Sequence, residues 1–122
     1  IMCNTLLNNM DKLPYGKKGL VPANGVISGE NRVEIKEGET VFDVLLRETR
    51  RQRIHMDFVE SPVYKSAYIR GMNNLYEFDG GDLSGWMYSV NGVFPQKGCS
   101  QYKLEGGEKI EWKYTCDLGK DL

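Results

Sequence analysis

Nucleophilic or metal-binding chemistry in this sequence would rest on Cys3, Cys99, Cys116 and His55, its only cysteines and its only histidine. No two cysteines form a C-x-x-C pair. A structural zinc site takes four Cys or His ligands and would consume every one of them. The cysteines read instead as one disulfide plus one free thiol, or as three unpaired buried thiols. Cys99 and His55 carry no local signature of a nucleophile and its base. His55, between Ile54 and Met56, reads as structural or exposed. Asp79-Gly80-Gly81-Asp82-Leu83 lacks the alternating oxygen ligands and closing Glu of a calcium loop, so it reads as a solvated turn. Asp117 and Asp121 read the same way. Gly80-Gly81 and Gly106-Gly107 are not followed by the G-K-[ST] of a phosphate loop. These residues point to no catalytic group, no metal and no required cofactor, and therefore to a protein that is not an enzyme.

A second kind of chemistry is recognition. Residues 84–98 read SGWMYSVNGVFPQKG. Asn91-Gly92 is the signal of a type I′ hairpin turn, whose two central residues need positive φ. Around it stand Trp86, Tyr88, Val90, Val93, Phe94 and Pro95. A two-residue turn sets Val90 opposite Val93, Ser89 opposite Phe94 and Tyr88 opposite Pro95, and opposed residues share a face. Met87, Ser89 and Phe94 then point away from Trp86, Tyr88 and Pro95, so both faces are partly apolar. Pro95 cannot donate to a ladder and suits an edge. The hairpin is expected to project, with Trp86, Tyr88, Asn91, Gly92, Phe94 and Pro95 as candidate ligand or partner contacts.

The elements that would hold these residues are legible from the pattern. Asn4 and Thr5 can cap a short helix carrying Leu6, Leu7, Met10 and Leu13. Arg32-Val33-Glu34-Ile35-Lys36 alternates as a half-buried strand. Thr40 with Asp43 forms a capping-box-like pair ahead of a helix whose inward stripe is Val41, Phe42, Leu45 and Leu46. Ile54–Val59, Ala67–Gly71 and Leu75–Phe78 read as short strands. The last strand is the plainest, with Ile110, Trp112, Tyr114 and Cys116 on one face. One helix across a mixed, mostly antiparallel sheet is an α+β arrangement. The compact solution is β-grasp-like, with a short N-terminal helix and the projecting hairpin added. Phe42, Leu45 and Leu46 should then pack on Trp112 and Tyr114.

The totals narrow the function classes. At 122 residues the chain is one domain, residues 1–122. Sixteen basic against seventeen acidic residues leave a net charge of −1, giving no general pull toward nucleic acid. The basic run Arg47, Arg50, Arg51 and Arg53 has no aromatic interleaving and reads as a solvated helix end. Apolar runs are too short to insert this domain in a membrane.

RVEIKEGETVFDVLLR, residues 32–47, is similar to the strand, turn and helix opening of a β-grasp unit. EFDGGDLSGWMYSVNGVFPQKGCSQYKLEGGEKIEWKYTCDLGKDL, from Glu77 to the end, resembles the bacterial transcobalamin-like C-terminal domain family, a domain of unknown function. CNTLLNN near the start and GVI at residues 25–27 extend the resemblance over nearly the whole chain. A distant likeness to the β-domain of the vertebrate cobalamin carriers, transcobalamin and intrinsic factor, rests on Trp86, the turn, Gly98, Tyr102, Gly107, Glu108 and Ile110.

In those carriers the domain closes over a helical barrel with the corrinoid between them. The resemblance implies a binding module in which Trp86, Tyr88, Phe94 and Pro95 lie on or beside cobalamin or a related tetrapyrrole. It also implies export to the surface of a Gram-positive-type bacterium, as one module of a longer protein, with a helical domain or a surface protein as neighbour. The alternative function is a protein-interaction or adhesion module with no small ligand. A β-grasp sets its first and last strands side by side, which predicts a Cys3–Cys116 disulfide, or at least adjacency, with Cys99 unpaired.

Overall fold

The computed structural model describes residues 1–122 and is α+β, with one main helix and two antiparallel sheets. The helix, α1, runs Val41–Gln52. It starts where the sequence says it should. Thr40 Oγ1 accepts from the Asp43 amide at 3.2 Å, and Asp43 Oδ2 accepts from the Thr40 amide at 2.9 Å. That reciprocal pair satisfies donors with no partner inside the helix. The helix ends at Arg53, whose φ of 56° lets the Ile54 amide bond back to Thr49 O at 2.8 Å. Val41, Phe42, Val44 and Leu45 are buried, and Leu46 is half-buried. The Phe42 ring meets Phe58 edge-on at 4.7 Å. The inward stripe thus joins the same core as Trp112 and Tyr114, while the ring partner of Phe42 lies on a different sheet.

The first sheet is β1 (Met56–Ser61), β2 (Ser66–Met72) and β3 (Leu75–Tyr76), in that order. Asn73 and Asn74, at φ 54° and 58°, make the tight turn from β2 to β3. The second sheet pairs β4 (Gly85–Val90) with β5 (Ile110–Thr115). Its register sets Trp86 opposite Tyr114, Tyr88 opposite Trp112 and Val90 opposite Ile110. These six share one face, and that face is the core.

The first residues extend the second sheet. The Met2 amide donates to Trp112 O at 2.8 Å and Met2 O accepts from the Tyr114 amide at 2.9 Å, a parallel pairing of the kind the β-grasp expectation requires. The Cys3–Cys116 disulfide is nevertheless not formed, and all three cysteines are buried free thiols. The register explains it. Met2 is level with Lys113, which carries Thr5, rather than Cys3, to the height of Cys116. Thr5 Oγ1 donates to Tyr114 O and lies 3.9 Å from Cys116 Sγ. Occupied in this way, Thr5 does not cap a helix, and the N-terminal segment becomes three 3₁₀ turns, Asn4–Asn8, Met10–Lys12 and Tyr15–Leu20.

Two other expectations change in detail. Residues 32–36 keep the alternation, with Val33 and Ile35 half-buried between exposed neighbours, but join no ladder. The Asn91-Gly92 turn has the expected positive φ values, 52° and 83°, and Val90 pairs with Val93. The hairpin stops at that one pair: β5 lies on the opposite edge of β4, where the Asn91 amide bonds Lys109 O at 2.8 Å, and the next residue that could pair with Tyr88 on the Val93 side is Pro95, which has no amide to donate.

Candidate functional site: an aromatic groove

Past Val93 the chain turns back along the end of β4 and runs beside β2. Gly98 makes that approach feasible, since a Cβ placed there would lie 2.2 Å from Ser66 Cβ. Ser100 then locks the strip to β2, its Oγ accepting from the Ala67 amide at 2.9 Å and meeting Ser66 Oγ at 2.7 Å. Cys99 O and Tyr102 O receive the Phe42 and Val41 amides, so the same strip also seats the start of α1.

Between this strip, β2 and β4 lies an open groove of about 450 Å³, in the size range of small-molecule sites. Trp86, Tyr88 and Trp112 line its buried side. Tyr64 and Tyr68 line it from the β1–β2 hairpin, stacked at 6.0 Å with an interplanar angle of 16°. Phe94, Pro95 and Lys97 line it from the returning strip.

The buried side is rigid. Trp86 donates from Nε1 to Leu75 O at 2.8 Å and sets its ring edge-on against Tyr114 at 5.2 Å. Tyr88 donates its hydroxyl to Lys97 O at 2.6 Å, and its ring lies 5.3 Å from that of Trp112. Trp112 Nε1 is buried with no hydrogen-bond partner. Burial pushes the Tyr88 phenol up to about 12, with Cys99 and Tyr102 adding to it. Burial likewise pushes the Cys99 thiol up to about 11, and its sulfur sits 3.4 Å from Ala67 O. A protonated, hydrogen-bonded thiol is a packing group rather than a nucleophile at neutral pH.

The four apolar residues singled out in the sequence do meet at this groove, but in unequal roles. Trp86 and Tyr88, at 8% and 9% exposure, belong to the core, which corrects the expectation that they project. Phe94 and Pro95 are half-buried and form part of its wall. Asn91 and Gly92 are exposed at the turn and do not line the groove; Asn91 Oδ1 accepts from the Lys109 amide at 2.9 Å. Sequence reasoning missed Tyr64, Tyr68 and Trp112. The available signal was the spacing of Tyr68, an exposed aromatic between buried Ala67 and buried Ile69 on an alternating strand.

The other candidates fall elsewhere. His55 Nδ1 accepts from the Asn74 amide at 2.9 Å, so Nε2 carries the proton and faces Tyr76 Oη at 3.1 Å. Tyr76 passes its own proton toward Asp57 Oδ2 at 2.8 Å. This surface network holds the β2–β3 turn and is not joined to Cys99. Asp79 is paired with Lys17 at 2.6 Å and accepts from the Tyr76 amide. Asp121 accepts from Thr115 Oγ1 and from the Cys116 amide, tying down the C-terminal turn. No three His, Cys, Asp or Glu side chains converge as a metal-ligating group. No helix is long and apolar enough to cross a membrane.

A search of curated proteins found no match. A family description does match, over residues 38–116, which takes in α1, every strand, the Asn91-Gly92 turn and all of the groove wall. The chain belongs to the family described as domain of unknown function DUF4430.

Proposed function

We propose that this domain is a non-enzymatic binding module whose aromatic groove takes the apolar face of a ring ligand of the tetrapyrrole class, cobalamin or a relative. The observation that carries the reading is the groove itself. Ten of its fifteen lining residues are hydrophobic, and they come from four separate stretches of chain. Stacked Tyr64 and Tyr68 offer ring faces, and Phe94 and Pro95 offer an opposing apolar wall. The resemblance to a corrinoid-capping domain supports the ligand class, and with it export to a bacterial cell surface beside a helical neighbour.

Titration with aquocobalamin and with protoporphyrin tests the reading. It predicts a shift in the ligand's visible spectrum together with quenching of tryptophan emission. Absence of both at millimolar ligand would sink it. A second reading, docking of another protein, is favoured by the apolar rim: Val63 and Tyr64 are 83% and 62% exposed.

A further inference from the structure

We propose that residues Glu30–Lys36 are a pairing edge for a second copy of this chain. Neither a turn nor a bend interrupts residues 29–36, and no backbone–backbone hydrogen bond involves residues 29–35. The side chains alternate as in a strand. Val33 and Ile35 pack on the core, while Glu30, Arg32, Glu34 and Lys36 are exposed.

In an extended chain the N–H and C=O of successive residues point to opposite edges. One edge is already used. Arg47 donates to Glu34 O at 2.6 Å, the Lys36 amide donates to Glu39 Oε1 at 2.6 Å, and Lys36 O accepts from the Glu39 amide at 3.1 Å. The other edge, carrying the backbone groups of Asn31, Val33 and Ile35, has no partner. A half-buried strand with a free edge is a template for another strand.

The charges identify the occupant. Antiparallel pairing of two copies centred on Val33 sets Arg32 opposite Glu34 and Glu30 opposite Lys36, each twice by symmetry. Centring on Arg32 instead sets Glu30 against Glu34 and Arg32 against itself. Centring on Glu34 sets Arg32 against Lys36. Parallel pairing sets every charge against its like. A shift by one residue puts the charged face against the apolar one. Only the Val33-centred antiparallel register pairs every charge with its opposite, and it aligns the free groups of Asn31, Val33 and Ile35 with their counterparts. The exposed ion pair of Glu30 with Lys109, at 3.3 Å, is the one contact that must yield.

Sedimentation equilibrium from about 10 μM to about 1 mM reads the outcome, since so small an interface binds weakly. A monomer–dimer equilibrium is expected. Arg32→Glu should raise its dissociation constant about tenfold, because two attractive cross-strand pairs become repulsive together. The double variant Arg32→Glu with Glu34→Arg should restore it. Both side chains are exposed, and circular dichroism confirms that each variant is folded. Amide exchange should slow with concentration at Asn31, Val33 and Ile35 and not at Arg32. A chain monomeric throughout, a dimer indifferent to Arg32→Glu, or a double swap that fails to restore association would each overturn the proposal.

Discussion

Gly98 lies directly against Ser66, so close that a Cβ on Gly98 would sit 2.2 Å from both Ser66 Cβ and Ser66 Oγ. Ser66 is on β2 and itself buried, so it has nowhere to retreat. The strip that carries Phe94, Pro95 and Cys99 is held in place at this crossing. Gly98→Ala should therefore destabilise the fold by about 1–3 kcal/mol through overpacking, and should splay the groove. Urea denaturation checks the first effect. An unchanged midpoint would show that the strip is free to shift.

Arg53 occupies the left-handed position that ends α1, at φ 56°. A side chain there is strained, and glycine is the residue that suits it. Arg53→Gly should raise stability by about 0.5–1 kcal/mol, reduced somewhat by the extra freedom of glycine in the unfolded chain. Thermal unfolding of the variant measures it, and a lower midpoint would contradict the cap argument.

Leu45 is buried at 4% exposure on the inward stripe of α1. Leu45→Ala should cost about 2–5 kcal/mol, from lost burial plus the cavity left behind. Leu46→Ala, at a half-buried site one residue on, should cost less. Chemical denaturation of the pair checks the order, and equal losses would contradict the packing of the helix.

How much of this was legible follows from which forces set each feature. The Thr40–Asp43 cap, the Asn91-Gly92 turn and the alternation of β5 are local, and local chemistry specifies them. The Asn73-Asn74 turn, with both residues at positive φ, is equally local. What β4 pairs with is not local. β5 pairs six residues along one edge of β4, while residues 93–95 meet the opposite edge at the Val90–Val93 pair alone. That outcome buries Trp86 and Tyr88 and leaves the groove wall to Phe94. Cys3 and Cys116 show the same limit. Two adjacent strands were foreseeable, but their register was not, and the register keeps the two thiols at different heights.

The unequal roles within the groove make a separable prediction. Tyr68 and Phe94 line it without being buried, so Tyr68→Ala and Phe94→Ala should weaken ligand binding by about tenfold each. Their unfolding midpoints should move little. Trp86→Ala removes a buried ring and its hydrogen bond to Leu75 O, and should cost about 3–5 kcal/mol of stability. Spectroscopic titration and denaturation run on the same three variants check the division. Loss of stability in Phe94→Ala equal to that in Trp86→Ala would make Phe94 a core residue and remove it from the site.

The buried thiols set a final test at high pH. Burial raises Cys3 and Cys99 from the ordinary value of 9.0 to about 11 in each case. Between those values the unfolded chain releases each thiol proton while the folded chain keeps it. The unfolded state then binds fewer protons, so stability falls as pH rises. The contribution is fully present below about pH 9 and is lost by about pH 11, with a ceiling of about 2.5 kcal/mol for each thiol. Cys99→Ala abolishes one of these titrations. Its stability should therefore be lower than that of the parent at pH 8 because of the cavity, yet decline less steeply between pH 9 and 11. Guanidinium denaturation at stepped pH under reducing conditions reads both slopes. Parallel slopes would mean that the Cys99 thiol ionises in the folded protein as readily as in the unfolded one, and that the inner wall of the groove is wetter than its packing implies.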